Sequence, residues 1–105
     1  FALECDARYE EALVHLDLAV ELDPENAGAR GGRALVLNAL GRHAEAVIDG
    51  REAVRQRPDV ASHHLDLAVA LEETGATAEA LSEYRKVLQL EPTNRQATEG
   101  RARLQ

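Results

Sequence analysis

The chain has 105 residues, a net charge of −7 and only three aromatic residues, Phe1, Tyr9 and Tyr84. Such a balance excludes the basic, ring-bearing surface on which nucleic-acid readers depend, and no span approaches the roughly 18 apolar residues of a membrane helix. The single cysteine, Cys5, excludes an internal disulfide framework and any multi-cysteine metal cluster.

Taken in order, the chain repeats itself. Pro24, Pro58 and Pro92 stand 34 residues apart, as do Glu11-Ala12, Glu45-Ala46 and Glu79-Ala80, and Ala34, Ala68 and Ala102. This period divides the chain into a partial copy (1–26), two full copies (27–60 and 61–94) and a terminal helix (95–105). Ahead of each proline the apolar residues fall on one helical stripe: Ala12, Leu13, Leu16, Ala19 and Val20 in the partial copy, Ala80, Leu81, Tyr84, Val87 and Leu88 in the third. The same columns read Ala46, Val47, Gly50, Ala53 and Val54 in the second copy, with glycine where the others carry a large side chain.

A first helix in each full copy is marked by Leu35-Val36-Leu37 with Leu40, and by Leu65, Leu67, Ala68 and Leu71. Gly41 and Gly75 follow, where a helix ends in a left-handed cap. The prolines lie just past the second helices, and Asn26, Asp59 and Asn94 stand as N-caps for the helix that follows. One such pair cannot bury its stripe alone, so neighbouring pairs must stack, with Ala12, Ala46, Ala80, Ala34, Ala68 and Ala102 at the close crossings. The final helix is more polar, with Arg101 and Arg103 where the third copy has Leu67 and Val69, as suits a helix that covers the last pair.

The period, the two helices and the terminal proline resemble the tetratricopeptide repeat, whose pattern runs W-x2-L-G-x2-Y, A-x3-F, P. The second half is well kept in Ala12-x3-Leu16 with Pro24, Ala46-x3-Gly50 with Pro58, and Ala80-x3-Tyr84 with Pro92. The first half is recognisable in His64-x2-Leu67-Ala68-x2-Leu71 and degraded in Arg30-x2-Arg33-Ala34-x2-Leu37. The resemblance implies an all-α, right-handed superhelical solenoid of antiparallel helix pairs, beginning midway through the first helix of a copy. It also implies a protein–protein interaction scaffold without catalysis of its own.

By the same resemblance, the first helices line a concave groove that holds a peptide or a partner helix. Its columns here are Phe1, Glu4 and Cys5; Gly28, Gly31, Leu35, Asn38 and Ala39; and Ser62, Leu65, Val69, Glu72 and Glu73. Phe1, Leu35 and Val69 form an apolar strip flanked by Glu4, Glu72 and Glu73, which would suit an apolar anchor with nearby Lys or Arg. Family members that grip the acidic tail of heat-shock chaperones use a clamp of Asn, Lys and Arg. The corresponding columns hold Gly32, Ser62 and Asp66, and Asp66 would repel a carboxylate, so that partner is not expected. Two rivals stay open: a docking or regulatory segment of a larger enzyme, and a structural self-assembly module.

Three further features call for a reading. Gly28, Gly31 and Gly32 with Arg30 and Arg33 would let a phosphate or carboxylate approach the backbone, but the spacing is no phosphate loop and no strand precedes it. The alternative is a weak helix start whose arginine stems cover apolar surface. Charge alternates along the copies: eight acids against Arg8 in 1–26, four acids against six arginines in 27–60, six acids against Arg85 and Lys86 in 61–94. Stacking would then set Asp17 against Arg51 and Glu21 against Arg55. An acidic start and the basic Arg95, Arg101 and Arg103 would also allow head-to-tail association. The four histidines, His15, His43, His63 and His64, include no i, i+4 pair, so neither a metal nor a cofactor is expected. Nothing around Cys5 resembles a nucleophile motif. With no methionine and no visible signal, the chain reads as a piece of a longer one, and a reducing cytoplasmic setting suits its lone thiol.

Overall fold

Two turn glycines and three proline loops set the boundaries of the helices. A computed structural model describes residues 2–105, with side chains from Ala7 onward, so the expectations placed on Phe1 and on the Glu4 and Cys5 side chains lie outside the described residues. The helices are α1 (Ala2–Leu22), α2 (Ala27–Ala39), α3 (His43–Gln56), α4 (Ala61–Glu73), α5 (Thr77–Leu90) and α6 (Arg95–Leu104), and no strand occurs among the described residues.

Gly41 and Gly75 adopt φ of 79° and 87°, the left-handed region that any Cβ disfavours. Each closes a Schellman cap: Arg42 N–H donates to Leu37 O at 2.8 Å and Ala76 N–H to Leu71 O at 2.8 Å, with Gly41 and Gly75 bonded back to Asn38 and Glu72. In the partial copy the same column holds Ala7, and α1 runs through it unbroken. The expected turn between a first and a second helix is therefore absent there.

N-capping follows the period with one exception. Asn26 and Asn94 accept from Ala29 N–H at 3.0 Å and Ala97 N–H at 2.9 Å. Val60 occupies that column in α4, while Asp59, the expected cap, lies one residue early and binds Arg57 at 3.3 Å.

The first helices pack on one another, α2 against α4, and each second helix sits between its own partner and the next first helix. The second helices hardly meet. Ala34, Ala46, Ala68 and Ala80 are completely buried at the crossings, whereas Ala102 is exposed because no helix of this chain covers that face of α6. Large and small residues interlock where a second helix meets the next first helix. A Cβ on Gly50 would come within 3.2 Å of the Leu67 backbone, and one on Gly100 within 2.5 Å of the Tyr84 ring.

Two apolar cores result. One gathers Leu67, Leu71, Tyr84 and Val87 around α4 and α5; the other joins Leu13, Ala34, Leu37, Ala46 and Ala70 around α2. The architecture is an all-α, tetratricopeptide-like solenoid. Among the described residues no helix is long and apolar enough to cross a membrane.

Candidate functional site

Packing α2 beside α4 leaves one helical face of each turned into a shared groove. Two adjoining depressions, of about 290 and 390 Å³, share Leu35, Leu65, Asp66 and Gln96 and so form one continuous channel. Of the residues expected in the groove on α2 and α4, Gly28, Gly31, Leu35, Asn38, Ala39, Ser62, Leu65, Asp66 and Val69 line it, whereas Glu72 and Glu73 line neither depression. Leu35 is 57% exposed, while Leu65 and Val69 are half-buried.

Asn38 lines the groove but is already committed. Its Nδ2 donates to the Asp66 backbone carbonyl at 3.0 Å, and its Oδ1 accepts from His43 Nδ1 at 2.9 Å. The amide thus ties α2, α3 and α4 together and cannot turn to a ligand without breaking those bonds.

Glu72 departs from its expected place as a free acid beside the strip. Its carboxylate accepts from Tyr84 Oη at 2.7 Å and from Arg103 at 2.6 and 2.8 Å. Arg103, through its hydrogen bonds, holds the Glu72 pKa below the usual range; burial, then Glu72, pushes that of the Tyr84 phenol up. Arg103 stands in the Leu35–Val69 column and therefore ends the apolar strip with a neutralised acid. Glu73 is exposed and lies outside both depressions.

Asp66 is the unusual group. Its carboxylate meets no hydrogen-bond or ion-pair partner among the described residues, and burial pushes its pKa up from 3.8 to about 7. Next to it His63 is 8% exposed and its Nδ1 is enclosed without a partner. Burial, then the neighbouring His64 and Arg57, pulls this imidazole below its ordinary value, leaving it neutral near pH 7. The ring occupies space that glycine leaves open: a Cβ on Gly31 would lie 2.4 Å from His63 Nδ1.

His63 and Gln96 were missed by the sequence reading. For Gln96 the signal existed, since Gly28, Ser62 and Gln96 share one column of the 34-residue period. For His63 there was none, because its burial depends on the missing side chain of Gly31.

The Gly-Arg segment is neither an anion site nor a loose helix start. Arg33 grips Asp49 with two bonds of 2.7 and 2.8 Å and reaches Asp17 at 3.0 Å, while Arg30 lies 3.4 Å from Asp49. Asp49 is 3% exposed. The arginines are thus held by carboxylates, where apolar contacts were expected.

The outer charge pairs also differ from expectation. Asp17 takes Arg33 of the next first helix, Arg51 takes Glu79 of the next second helix at 3.0 Å, and Arg55 takes Glu52 of its own helix and Glu25 of the proline loop, in place of the expected Asp17–Arg51 and Glu21–Arg55 pairs. At the basic end Arg95 pairs with Glu99 at 3.4 Å. Among the described residues no group of three His, Cys, Asp or Glu side chains is arranged to hold a metal.

Known proteins resemble the chain in sequence and fold. The chain is 33% identical to the Hsp70-Hsp90 organizing protein of Triticum aestivum over 87 residues, 83% of this chain but 15% of that protein. It superposes on the Arabidopsis OM64 TPR domain with a TM-score of 0.90 at 26% identity, covering 94% of this chain and 82% of that one. It also superposes on the first TPR of Spaghetti (RPAP3) bound to HSP90 peptide SRMEEVD, with a TM-score of 0.89 at 26% identity, covering 93% and 78%. The family model described as Tetratricopeptide repeat matches residues 6–61 and 51–95, so the chain belongs to the tetratricopeptide repeat family.

Proposed function

We propose that this segment is a non-catalytic interaction scaffold whose α2–α4 groove takes a segment of a partner protein. The observation that carries the reading is the open channel itself, with Leu35 exposed on its wall and an unpartnered carboxylate, Asp66, beside it. An aliphatic side chain of the partner would rest on Leu35, Leu65 and Val69, and a Lys or Arg would answer Asp66. In this reading 27–60 and 61–94 are two full repeats, and α6 shields the last of them from water.

The Spaghetti domain is bound to an HSP90 peptide ending in EEVD. The groove here is chemically different. No Lys or Arg lines either depression, and Gly32, Ser62 and Asp66 stand in the columns of the acid-gripping clamp. An acidic tail would find no cation and one potential anion, so it is not the favoured partner. Catalysis has equally little support: Ser62, His63 and Asp66 share a depression, but no hydrogen bond links them into a nucleophile–base relay.

Titration calorimetry at pH 8 tests this with the peptide SRMEEVD and a counterpart whose two glutamates are replaced by lysine. The lysine peptide should bind more tightly, and Leu35→Glu with Val69→Glu should abolish that binding. Tighter binding of SRMEEVD would overturn the partner assignment.

A further inference from the structure

Asp66 stands where the two depressions meet, and its surroundings are unusually short of charge. From α2 it faces Leu35, Asn38 and Ala39, and from α6 Gln96, none of which titrates. On α4 itself the sole titratable neighbour in the groove is His63, neutral near pH 7. The Asn38 amide nitrogen donates to the Asp66 backbone carbonyl and makes no bond to its carboxylate. An ionised carboxylate in such a place is costly until a donor or a cation reaches it.

We propose that Asp66 is a recognition residue: its unpartnered carboxylate, where the two depressions meet, takes a lysine or arginine side chain of the partner. The proposal rests on the groove being the partner site. The neighbouring geometry suits a long cationic side chain. Gly28 leaves one end of the α2 wall without bulk, the space beside Gly31 being filled by the His63 ring, while Leu35 and Leu65 offer apolar surface to its methylene stem. The cation replaces the missing donors, and the ion pair forms in a site where water screens it only in part.

The sign follows from linkage. In the empty groove the carboxyl is held half-protonated near pH 7 by burial, whereas the cation favours the ionised form in the complex. Binding therefore releases a proton across the neutral range, and affinity falls as pH falls. Between pH 8 and pH 6 the loss is about tenfold. A partner that offered a carboxylate instead would show the opposite trend, because protonated Asp66 would be its donor.

The test is a random dodecapeptide display selection on the folded chain at pH 8, followed by binding of the enriched peptides at pH 8 and pH 6. Wild type, Leu35→Glu and Asp66→Asn are compared. The proposal expects enriched peptides with Lys or Arg near an aliphatic residue, loss of binding in Leu35→Glu, and an about tenfold pH effect that vanishes in Asp66→Asn. Peptides that depend on Leu35 but lack a cation, or whose affinity ignores pH or Asp66, overturn this proposal and leave the groove reading standing. Peptides indifferent to Leu35 overturn both.

Discussion

The segments 27–60 and 61–94 solve one structural problem with different chemistry. In each, a side chain in the first turn of the first helix bridges the preceding proline carbonyl and a carboxylate on the second helix. Arg30 does so between Pro24 O and Asp49, both at 3.4 Å; His64 does so between Pro58 O at 2.8 Å and Glu83 at 2.7 Å. The four residues obey the 34-residue period in two columns, 30/64 and 49/83.

The difference lies three residues on. Leu67, 3% exposed, plugs the apolar core of the later repeat, whereas its counterpart Arg33 forks onto Asp49 and Asp17 in the earlier one. An enclosed ion pair with good geometry rarely exceeds an apolar plug in stability, but losing one partner is severe. The earlier repeat is therefore the more vulnerable to single charge deletions.

That contrast sets the largest expected effect. Asp49→Ala strands two partly buried guanidinium groups and should cost about 2–4 kcal/mol, while Glu83→Ala leaves a His64 nitrogen without a partner and should cost about 1–2 kcal/mol. Urea unfolding of the two variants measures both. Equal losses would break the comparison.

Overpacking comes next. Ala46 is completely buried at the α2–α3 crossing, so Ala46→Leu should lower stability by about 1–3 kcal/mol, read as a fall in thermal midpoint. Asp66→Asn has a comparable but opposite effect, and only at high pH. The folded pKa of about 7 lies above the ordinary 3.8, so the native state holds more protons and stability falls as pH rises through that window. After allowance for its partial exposure, the amide should stabilise the fold by about 1–2 kcal/mol at pH 8 and by little at pH 5. A thermal midpoint gain that is the same at both pH values would remove the desolvation argument. The smallest change belongs to the exposed Arg51–Glu79 pair, where Glu79→Ala should cost no more than about 0.2–1 kcal/mol.

The helix pairs were legible because the 34-residue period repeats the few residues that backbone geometry singles out: prolines past helix ends, glycines at left-handed caps, alanines at crossings. Which columns face the groove is implied by the family resemblance and not by the period. What the period hides is how a side chain is used. Asn38 and Glu72 share a column that the resemblance assigns to the groove. Each instead reaches the following first helix, Asn38 at the Asp66 carbonyl and Glu72 at Arg103. Such tethers depend on what stands opposite in three dimensions. So do the burial of His63 over Gly31 and the choice of Arg33, not Arg51, as the partner of Asp17.

The central claim is that recognition occurs in the α2–α4 groove and not on the outer surface, where Val14, Leu18, Leu22 and Ile48 are also exposed. Amide and methyl NMR shifts on titration with the lysine peptide test it most directly. The account predicts that the changes concentrate at Leu35, Leu65, Asp66 and Val69, with Val14, Leu18 and Ile48 unmoved. Changes centred on α1 and Ile48, with Leu35 and Val69 unmoved, would contradict it.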